Sequence, residues 1–561
     1  MTRKAHFSAQ TASTKADTIA KTIAMGQSHH NQGHLGLAEA CYRQVLSLDA
    51  NDVNALHLLG VVALQSNKFE DAIRLIKSAA SKRPREFPIL VNLGAAFRAA
   101  GQNAEAVKIY ETAIKLNPKS SAVHFNLGKA FMDLGDFEKS IASYARSIAL
   151  DPKDPDAYIN IGNVYKAKGE GDAAIAAYEK ALRLTPIATA FGNIGAVLID
   201  RSQFEEALVM LDKALALDPK DSDIKLKRAL TALRLARFKE GWSDYEIRFL
   251  SDKERIARCP PPPNYWRGED LGGKTILVSS EQGLGDEILY ASLLPDLIAR
   301  AGRCIFECSA RMVPVFKRSF PEATVLAYQK PGQSTTPAAG LDFQTTICSL
   351  GQYFRPDFNH FPRHDGYLKA DAARVASLRA RYEAIAPGHL IVGVSWSSKN
   401  QSFGGSKSAD LSSWADVLNV PGVTFVNLQY GDCAADLKAV KDALGVDVFH
   451  DTEVDPLKDM DAFFAQVAAM DLVITTSNTT VHVAGSLNVP TWLLLPSGSA
   501  CLWYWFTERE DTPWYPSVKL FRRPAIEPGK KSGEVWWRDG IARMSALLTQ
   551  RQKPPPDLST S

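Results

Sequence analysis

Two hydrophobic rhythms divide the chain. Up to about residue 250, apolar positions recur at helical spacing, and that spacing itself repeats. Glycines stand at 26, 60, 94, 128, 162 and 195, four steps of 34 residues and one of 33, and Ala229 takes the seventh place. Twelve residues after each comes Ala38, Ala72, Ala106, Ser140, Ala174, Ala207 or Gly241, and four further on Tyr42, Ile76, Tyr110, Tyr144, Tyr178, Leu211 or Tyr245. Prolines at 84, 118, 152, 186 and 219 close the units. Small residues at fixed offsets predict helices paired at close crossings, with proline in the turn that ends each second helix. Seven such units bury a continuous core and wind into a superhelix, predicted here over residues 19 to 252. Residues 1 to 18 are polar and are predicted to be disordered.

After residue 252 the rhythm changes. Cys259 and Pro260 to Pro263 belong to a stiff, extended spacer over residues 253 to 273. Short β-rich runs then alternate with helical stretches. A first half, 274 to 386, holds Ile276 to Val278, Cys304 to Cys308, Thr324 to Tyr328 and Phe343 to Ile347, and it ends near the helix Ala372 to Ile385. A second half, 387 to 550, holds Leu390 to Val394, Thr424 to Leu428, Leu472 to Thr475 and Thr491 to Leu495, with a closing helix. Two doubly wound halves facing each other predict a cleft between them. Residues 551 to 561 are predicted to be a disordered tail.

Composition narrows the function classes. A formal net charge of +3 on 561 residues calls for neither nucleic acid nor an anionic membrane. The N-terminal residues show no apolar signal region, and no apolar run is long enough to span a bilayer, so a cytoplasmic chain without membrane insertion is expected. Seven scattered cysteines without a C-x-x-C pair argue against a disulfide framework or a zinc site.

Three stretches carry candidate chemistry. In Thr275 to Leu293 an apolar run breaks at Gly283-Leu284-Gly285 and apolar periodicity resumes at Ile288, which predicts strand, glycine turn and helix. Asp286 follows the second glycine and would project into the crevice beyond the strand ends, as a candidate base or as an N-cap of the helix. In the second half, a strand ends in Ser477, Asn478, Thr479 and Thr480 and passes at once into a helix of small residues, a natural seat for a diphosphate. His482, in the first helical turn, is placed either to touch the same phosphates or to serve the structure. Between Ser397 and Trp414 a polar loop carries Lys399 and Lys407, either of which could neutralise charge on a departing phosphate. Asp459-Met-Asp461 reads as a helix start rather than a metal site.

One column of the repeats differs from packing. Asn92, Asn126, Asn160 and Asn193 each precede a repeat glycine by two residues, so their amides form a ladder along one face. Such a ladder either reads a peptide backbone or ties neighbouring repeats together.

The period and pattern resemble tetratricopeptide repeats, and the ladder resembles the arrangement that holds the polypeptide acceptor in O-GlcNAc transferases. From about 273 to 550, the GLGD turn, the Lys407 loop, Leu428-Gln429-Tyr430-Gly431, the SNTTVHVAG turn and Asp511 to Pro516 resemble glycosyltransferase family 9, the heptosyltransferase-like enzymes. That resemblance implies a GT-B fold of two Rossmann-like domains and an inverting, metal-independent transferase without a cofactor. It casts Asp286 as base and Lys407 as the lysine reaching the nucleotide phosphates. Asn478 to Thr480 become the phosphate turn, with Gly285, Ser477 and His482 beside it, and Gln429 lies near the nucleoside. Many family members have an aspartate where this chain has Ser477, so the donor sugar stays open. Repeats followed by such a domain are also similar to bacterial enzymes that glycosylate proteins, flagellins among them.

The expectation is therefore an enzyme moving a sugar from a nucleotide-sugar to a protein hydroxyl presented by the repeats. Two alternatives stand beside it: a transferase acting on a lipopolysaccharide-type or small acceptor, its repeats used for assembly into a homo-oligomer, and a catalytically silent repeat scaffold.

Overall fold

The computed structural model describes residues 2–249, 264–329, 336, 340–398, 407–523 and 537–551, with side chains from residue 15 onward. The chain divides into two compact units, Met1–Asn193 and Ile194–Ser561. Cys259, the four prolines, Lys399 and the expected tail from 552 onward lie outside the described residues.

The first unit is built of helical hairpins. Thr2–Asn31 pairs with Leu35–Leu48, Val53–Gln65 with Phe69–Lys82, Phe87–Ala99 with Asn103–Leu116, Ser121–Asp133 with Phe137–Leu150, and Pro155–Ala167 with Gly171–Leu184. Residues 2 to 18, expected to be disordered, are therefore helical, as a stretch free of glycine and proline before Gly26 allows. Each repeat glycine is explained by its partner on the second helix. A methyl group at Gly94 would stand 2.5 Å from the Tyr110 ring, and one at Gly162 would stand 2.6 Å from Tyr178. Those tyrosines are fully buried at the crossings. The turn inside each hairpin needs a left-handed residue, which Gly33, Gly101, Gly135 and Gly169 supply without a Cβ penalty. Asn67 supplies it in the second hairpin. First helices of successive hairpins also touch one another, which sets them side by side along one face.

The second unit begins inside the sixth hairpin, Ala188–Asp200 with Phe204–Leu217, and includes the seventh, Ser222–Arg234 with Phe238–Tyr245. The repeat helices run on to Tyr245, close to the boundary expected at 252, while the two compact units divide earlier, after Asn193. Apolar burial is the reason. Phe238, Trp242 and Tyr245 of the seventh hairpin share one core with Ile276, Leu289 and Trp503, and Trp242 donates to the Arg355 carbonyl at 2.9 Å. The described end of the spacer, from residue 264, packs as well: Tyr265 bridges Gln344 and Trp266 is buried.

Two all-parallel sheets follow among the described residues. The first comprises β1 (Thr275–Ser279), β2 (Arg303–Cys308), β3 (Thr324–Ala327) and β4 (Phe343–Thr346) in the order β3-β2-β1-β4. The second comprises β5 (Leu390–Ser395), β6 (Val423–Asn427), β7 (Leu472–Thr476), β8 (Thr491–Leu495) and β9 (Val518–Arg522) in the order β6-β5-β7-β8-β9. Strands buried on both faces need near-continuous apolar runs, which Leu472 to Thr476 and Thr491 to Leu495 provide. The strand order reverses at β1 and at β5, so crevices open beyond the carboxyl ends of β1/β4 and β5/β7. This half of the chain is an α/β structure.

Candidate active site

Beyond β1 the chain passes through Ser280-Glu281-Gln282 and enters the helix Leu284–Ala291, with Gly283 as its N-cap. The helix begins four residues earlier than the apolar periodicity suggests, so the second glycine lies inside it. Asp286 is at the third position, and its carboxylate accepts from the Gly283 N–H at 3.3 Å. Of its two expected roles the capping one is visible directly, on a residue that stands just beyond the carboxyl end of β1. Asp286 keeps some accessible surface but has protein around it on most sides. Desolvation there raises its pKa to about 6, against the lowering effects of the Gly283 N–H and the Lys407 charge.

Lys407 comes from the loop after β5 and is buried. Burial draws its ammonium below the usual lysine range, while the Asp286 charge acts the other way. A carboxyl whose pKa burial raises and a buried lysine thus act on each other's charge.

The third wall is the turn after β7. Asn478 caps the helix Thr479–Ser486 by accepting from the Thr480 N–H at 2.9 Å. Its amide also donates to Ser395 Oγ at 2.8 Å and to the Ser397 carbonyl at 3.1 Å. Gln429, at the end of β6, takes the same turn from the other side. Its Oε1 accepts from Ser395 Oγ, the Trp396 N–H and the Ser397 N–H at 3.1, 3.0 and 2.9 Å, and its Nε2 donates to the Ser397 carbonyl at 3.2 Å. Gln429 and Asn478 therefore shape the β5 loop instead of pointing into the cleft. Ser477 accepts from Trp505 Nε1 at 3.2 Å and so anchors an indole. What this wall offers an anion is the start of the helix and the field of its dipole.

His482 takes the structural of its two expected places. Its Nδ1 lies 2.9 Å from Tyr515 Oη and its Nε2 3.4 Å from Tyr504 Oη, with the ring stacked on Trp505. Burial, reinforced by the Lys407 charge, lowers its pKa to about 3, so the imidazole is neutral and packed, with both nitrogens engaged. It also explains Gly285, because a side chain there would meet the imidazole. The helices Leu284–Ala291 and Thr479–Ser486 touch at this point, which brings Asp286 and the β7 turn together.

Several residues around Asp286 had been given no role. Glu281 and Gln282 form the loop before it, Tyr504 and Tyr515 lie near enough to feel its charge, and Trp505 stacks on His482. The aromatic density of CLWYWF was the available signal for Tyr504 and Trp505. Asp459 caps the helix Met460–Ala468 and pairs with Arg374, and Asp461 pairs with Arg318, so the DxD acids are helix-start and ion-pair residues. Among the described residues no cluster of three or more metal-ligating side chains occurs, and no helix is long and apolar enough to cross a membrane. The described cysteines are free and buried.

The ladder residues stand on first helices and are half-buried. Asn92 Nδ2 lies 2.8 Å from His57 Nε2, and Asn193 Nδ2 donates to Asn163 Oδ1 at 3.1 Å, so these two tie successive repeats. Asn160 donates to the Asp156 carbonyl of its own helix at 2.8 Å.

Family models of the tetratricopeptide repeat match residues 23–88, 94–135, 128–169, 155–186 and 187–217. The N-terminal array is a tetratricopeptide-repeat solenoid. Over 348 residues the chain is 34% identical to Protein FlbA of Caulobacter vibrioides, with 59% of this chain and 58% of that protein covered. The chain thus spans somewhat over half the length of the curated relative it matches. Solved structures similar to parts of it include MamA, 28% identical over 28% of this chain and 93% of that one, with a TM-score of 0.27. Pseudomonas aeruginosa pilF is 18% identical over 38% of this chain and 96% of that one, TM-score 0.33. The Cut9-Hcn1 tetramer of APC/C is 21% identical over 41% and 46%, TM-score 0.35. TM-scores this low decide nothing about architecture. The tetratricopeptide repeats themselves are a scaffold for protein contacts.

Proposed function

We propose that the chain is a glycosyltransferase of GT-B architecture that moves a sugar from a nucleotide-sugar to a hydroxyl of a polypeptide bound by the tetratricopeptide repeats. One observation carries this reading: Asp286, on the helix just beyond β1, stands within reach of the charge of the buried Lys407, and its helix packs on Thr479–Ser486, while burial raises its pKa to about 6. In the reaction, Asp286 takes the proton of the acceptor hydroxyl as its oxygen attacks the anomeric carbon, and the bond to the nucleotide diphosphate breaks. Lys407 and the helix N-terminus stabilise the charge left on the leaving phosphate. By the family 9 resemblance the transfer inverts the anomeric centre and uses no metal, and flagellin is the first acceptor to try. Calorimetry with a panel of nucleotide-sugars, followed by donor hydrolysis, tests the reading. Micromolar binding and turnover of one donor are expected, and no binding by any of them would end it.

A second reading is a repeat scaffold whose α/β half is silent. It is favoured by the same wall: Gln429 and Asn478 are engaged with the β5 loop, and Ser477 holds Trp505. The calorimetric panel separates the two.

A further inference from the structure

We propose that Arg248, in the turn Glu246–Phe249 that ends the last repeat hairpin, is a positioning residue for Asp286 in two ways: its forked grip on Glu281 fixes the loop between β1 and the helix Leu284–Ala291, and its charge compensates the Glu281 carboxylate that shares that loop with Asp286. The proposal rests on the reading of Asp286 as the base.

The geometry is that of a built joint. The Arg248 side chain is fully buried, and every nitrogen of its guanidinium has a partner. Nε and Nη2 donate to the two oxygens of Glu281 at 3.1 and 2.7 Å, a bidentate pair that sets direction as well as distance. Nη1 donates to Glu246 Oε1 at 2.7 Å and to the Tyr245 carbonyl at 3.1 Å, and Nη2 reaches Thr346 Oγ1 at 2.9 Å and Ser349 Oγ at 2.5 Å. One side chain of the repeats thus links the ends of β1 and β4, the two strands between which the first crevice opens. Next to Glu281, Gln282 has φ +65° and donates to Tyr245 Oη at 2.6 Å, so the seventh hairpin holds this loop twice. A left-handed glutamine persists only where its surroundings impose the conformation.

Electrostatics give the joint a consequence for Asp286. That carboxyl is faced by Lys407 from the loop after β5, by Tyr504 and Tyr515, by Tyr290 on its own helix, by Cys348 after β4 and by Glu281 on its own loop; the neutral His482 packs beside it. Glu287, its neighbour, is turned to the Ser309 N–H. Of these groups Glu281 opposes ionisation of Asp286 by its charge, and Arg248 compensates that charge.

The test titrates Asp286 by carbon NMR in the full chain labelled at aspartate Cγ, the signal being assigned by its loss in Asp286→Asn. Arg248→Met leaves Glu281 uncompensated, and the midpoint should rise by about 0.5 to 1 pH unit; Glu281→Gln should lower it by a similar amount. A role limited to rigidity predicts one direction for both, because a loosened loop admits water in either variant. Equal directions, or midpoints within about 0.2 of wild type, overturn the proposal. Should Arg248→Met fail to fold, the Glu281→Gln shift decides. Donor hydrolysis measured on the same proteins keeps the two ideas apart: opposite NMR shifts without turnover of any donor refute the glycosyl-transfer reading and leave the joint standing.

Discussion

Gly285 lies so close to His482 that a methyl group added to it would stand 2.8 Å from His482 Cδ2. Real Cβ atoms do not approach that near, so Gly285→Ala must move either the ring or the helix. The ring is held by Tyr515, Tyr504 and Trp505, which leaves the helix carrying Asp286 to shift. Overpacking of this kind costs about 1 to 3 kcal/mol. Gly285→Ala should therefore lower the melting temperature and depress turnover, and His482→Ala in the same chain should recover part of both. Strictly additive losses in the double-mutant cycle would show that the two residues are not in contact.

How much of this was legible follows from where the signal sits. The repeat glycines and their Tyr110-type partners recur at fixed offsets, so spacing alone exposes a contact between two helices. The pair Gly285 and His482 joins two elements almost two hundred residues apart and occurs once, so nothing in the sequence announces it. Helix onset at Leu284 was hidden because glycines read as a turn, although here one caps the helix and the other makes room for a ring. The seventh hairpin looks like any other repeat until Trp242 and Tyr245 are seen packing into the α/β core. Motif order put Asp286 and Lys407 in one site, and in the fold each acts on the other's charge; it also offered Gln429, Asn478 and His482 to a ligand, and there Gln429 and Asn478 both bond Ser395 while His482 bonds Tyr515.

Asp286 should make the protein less stable at neutral pH. Its folded pKa of about 6 is above the usual value of 3.8, so between those values the folded state holds a proton that the unfolded state has lost. Stability therefore falls as pH rises from about 4 to 6 and stays reduced above. Asp286→Asn removes this penalty. With partial screening by solvent, the variant should gain about 1 to 3 kcal/mol at pH 7 and nothing below pH 4. The same substitution should lower turnover about 100-fold or more with little change in donor affinity. Thermal unfolding across pH, read beside the rates, checks both, and a variant equally stable at pH 4 and pH 7 relative to wild type would contradict the raised pKa.

Lys407 offers the converse. Its charge favours the ionised form of Asp286, so Lys407→Met should move the acid limb of the pH–rate profile upward. Nucleotide affinity should fall together with rate, because a lysine on a phosphate acts in the ground state as well as the transition state. His482→Gln should leave the limb in place, since the imidazole is neutral throughout the working range. An unchanged nucleotide affinity in Lys407→Met, measured by calorimetry, would remove the lysine from the donor site.

The ladder separates into residues that hold repeats together and residues with no such duty, and the two groups should answer differently. Asn92 and Asn193 reach His57 and Asn163 of the preceding repeats, so Asn92→Ala and Asn193→Ala should lower the melting temperature of the solenoid as well as weaken acceptor binding. Asn160 bonds only within its own helix turn in the described contacts, and its amide can exchange that bond for a peptide carbonyl. Asn160→Ala and Asn126→Ala should thus weaken acceptor binding while leaving the melting temperature unchanged. A net hydrogen bond contributes about 0.5 to 1.5 kcal/mol, so each loss is modest and the fourfold variant should lose a few kcal/mol of acceptor affinity. Hydrolysis of the donor by water should persist in it, because Asp286, Lys407 and the β7 turn all belong to the second unit. If the fourfold variant remained helical by circular dichroism and still modified a polypeptide acceptor at the wild-type rate, the amides would be ties between repeats and nothing more, and the acceptor would have to be held elsewhere on the chain.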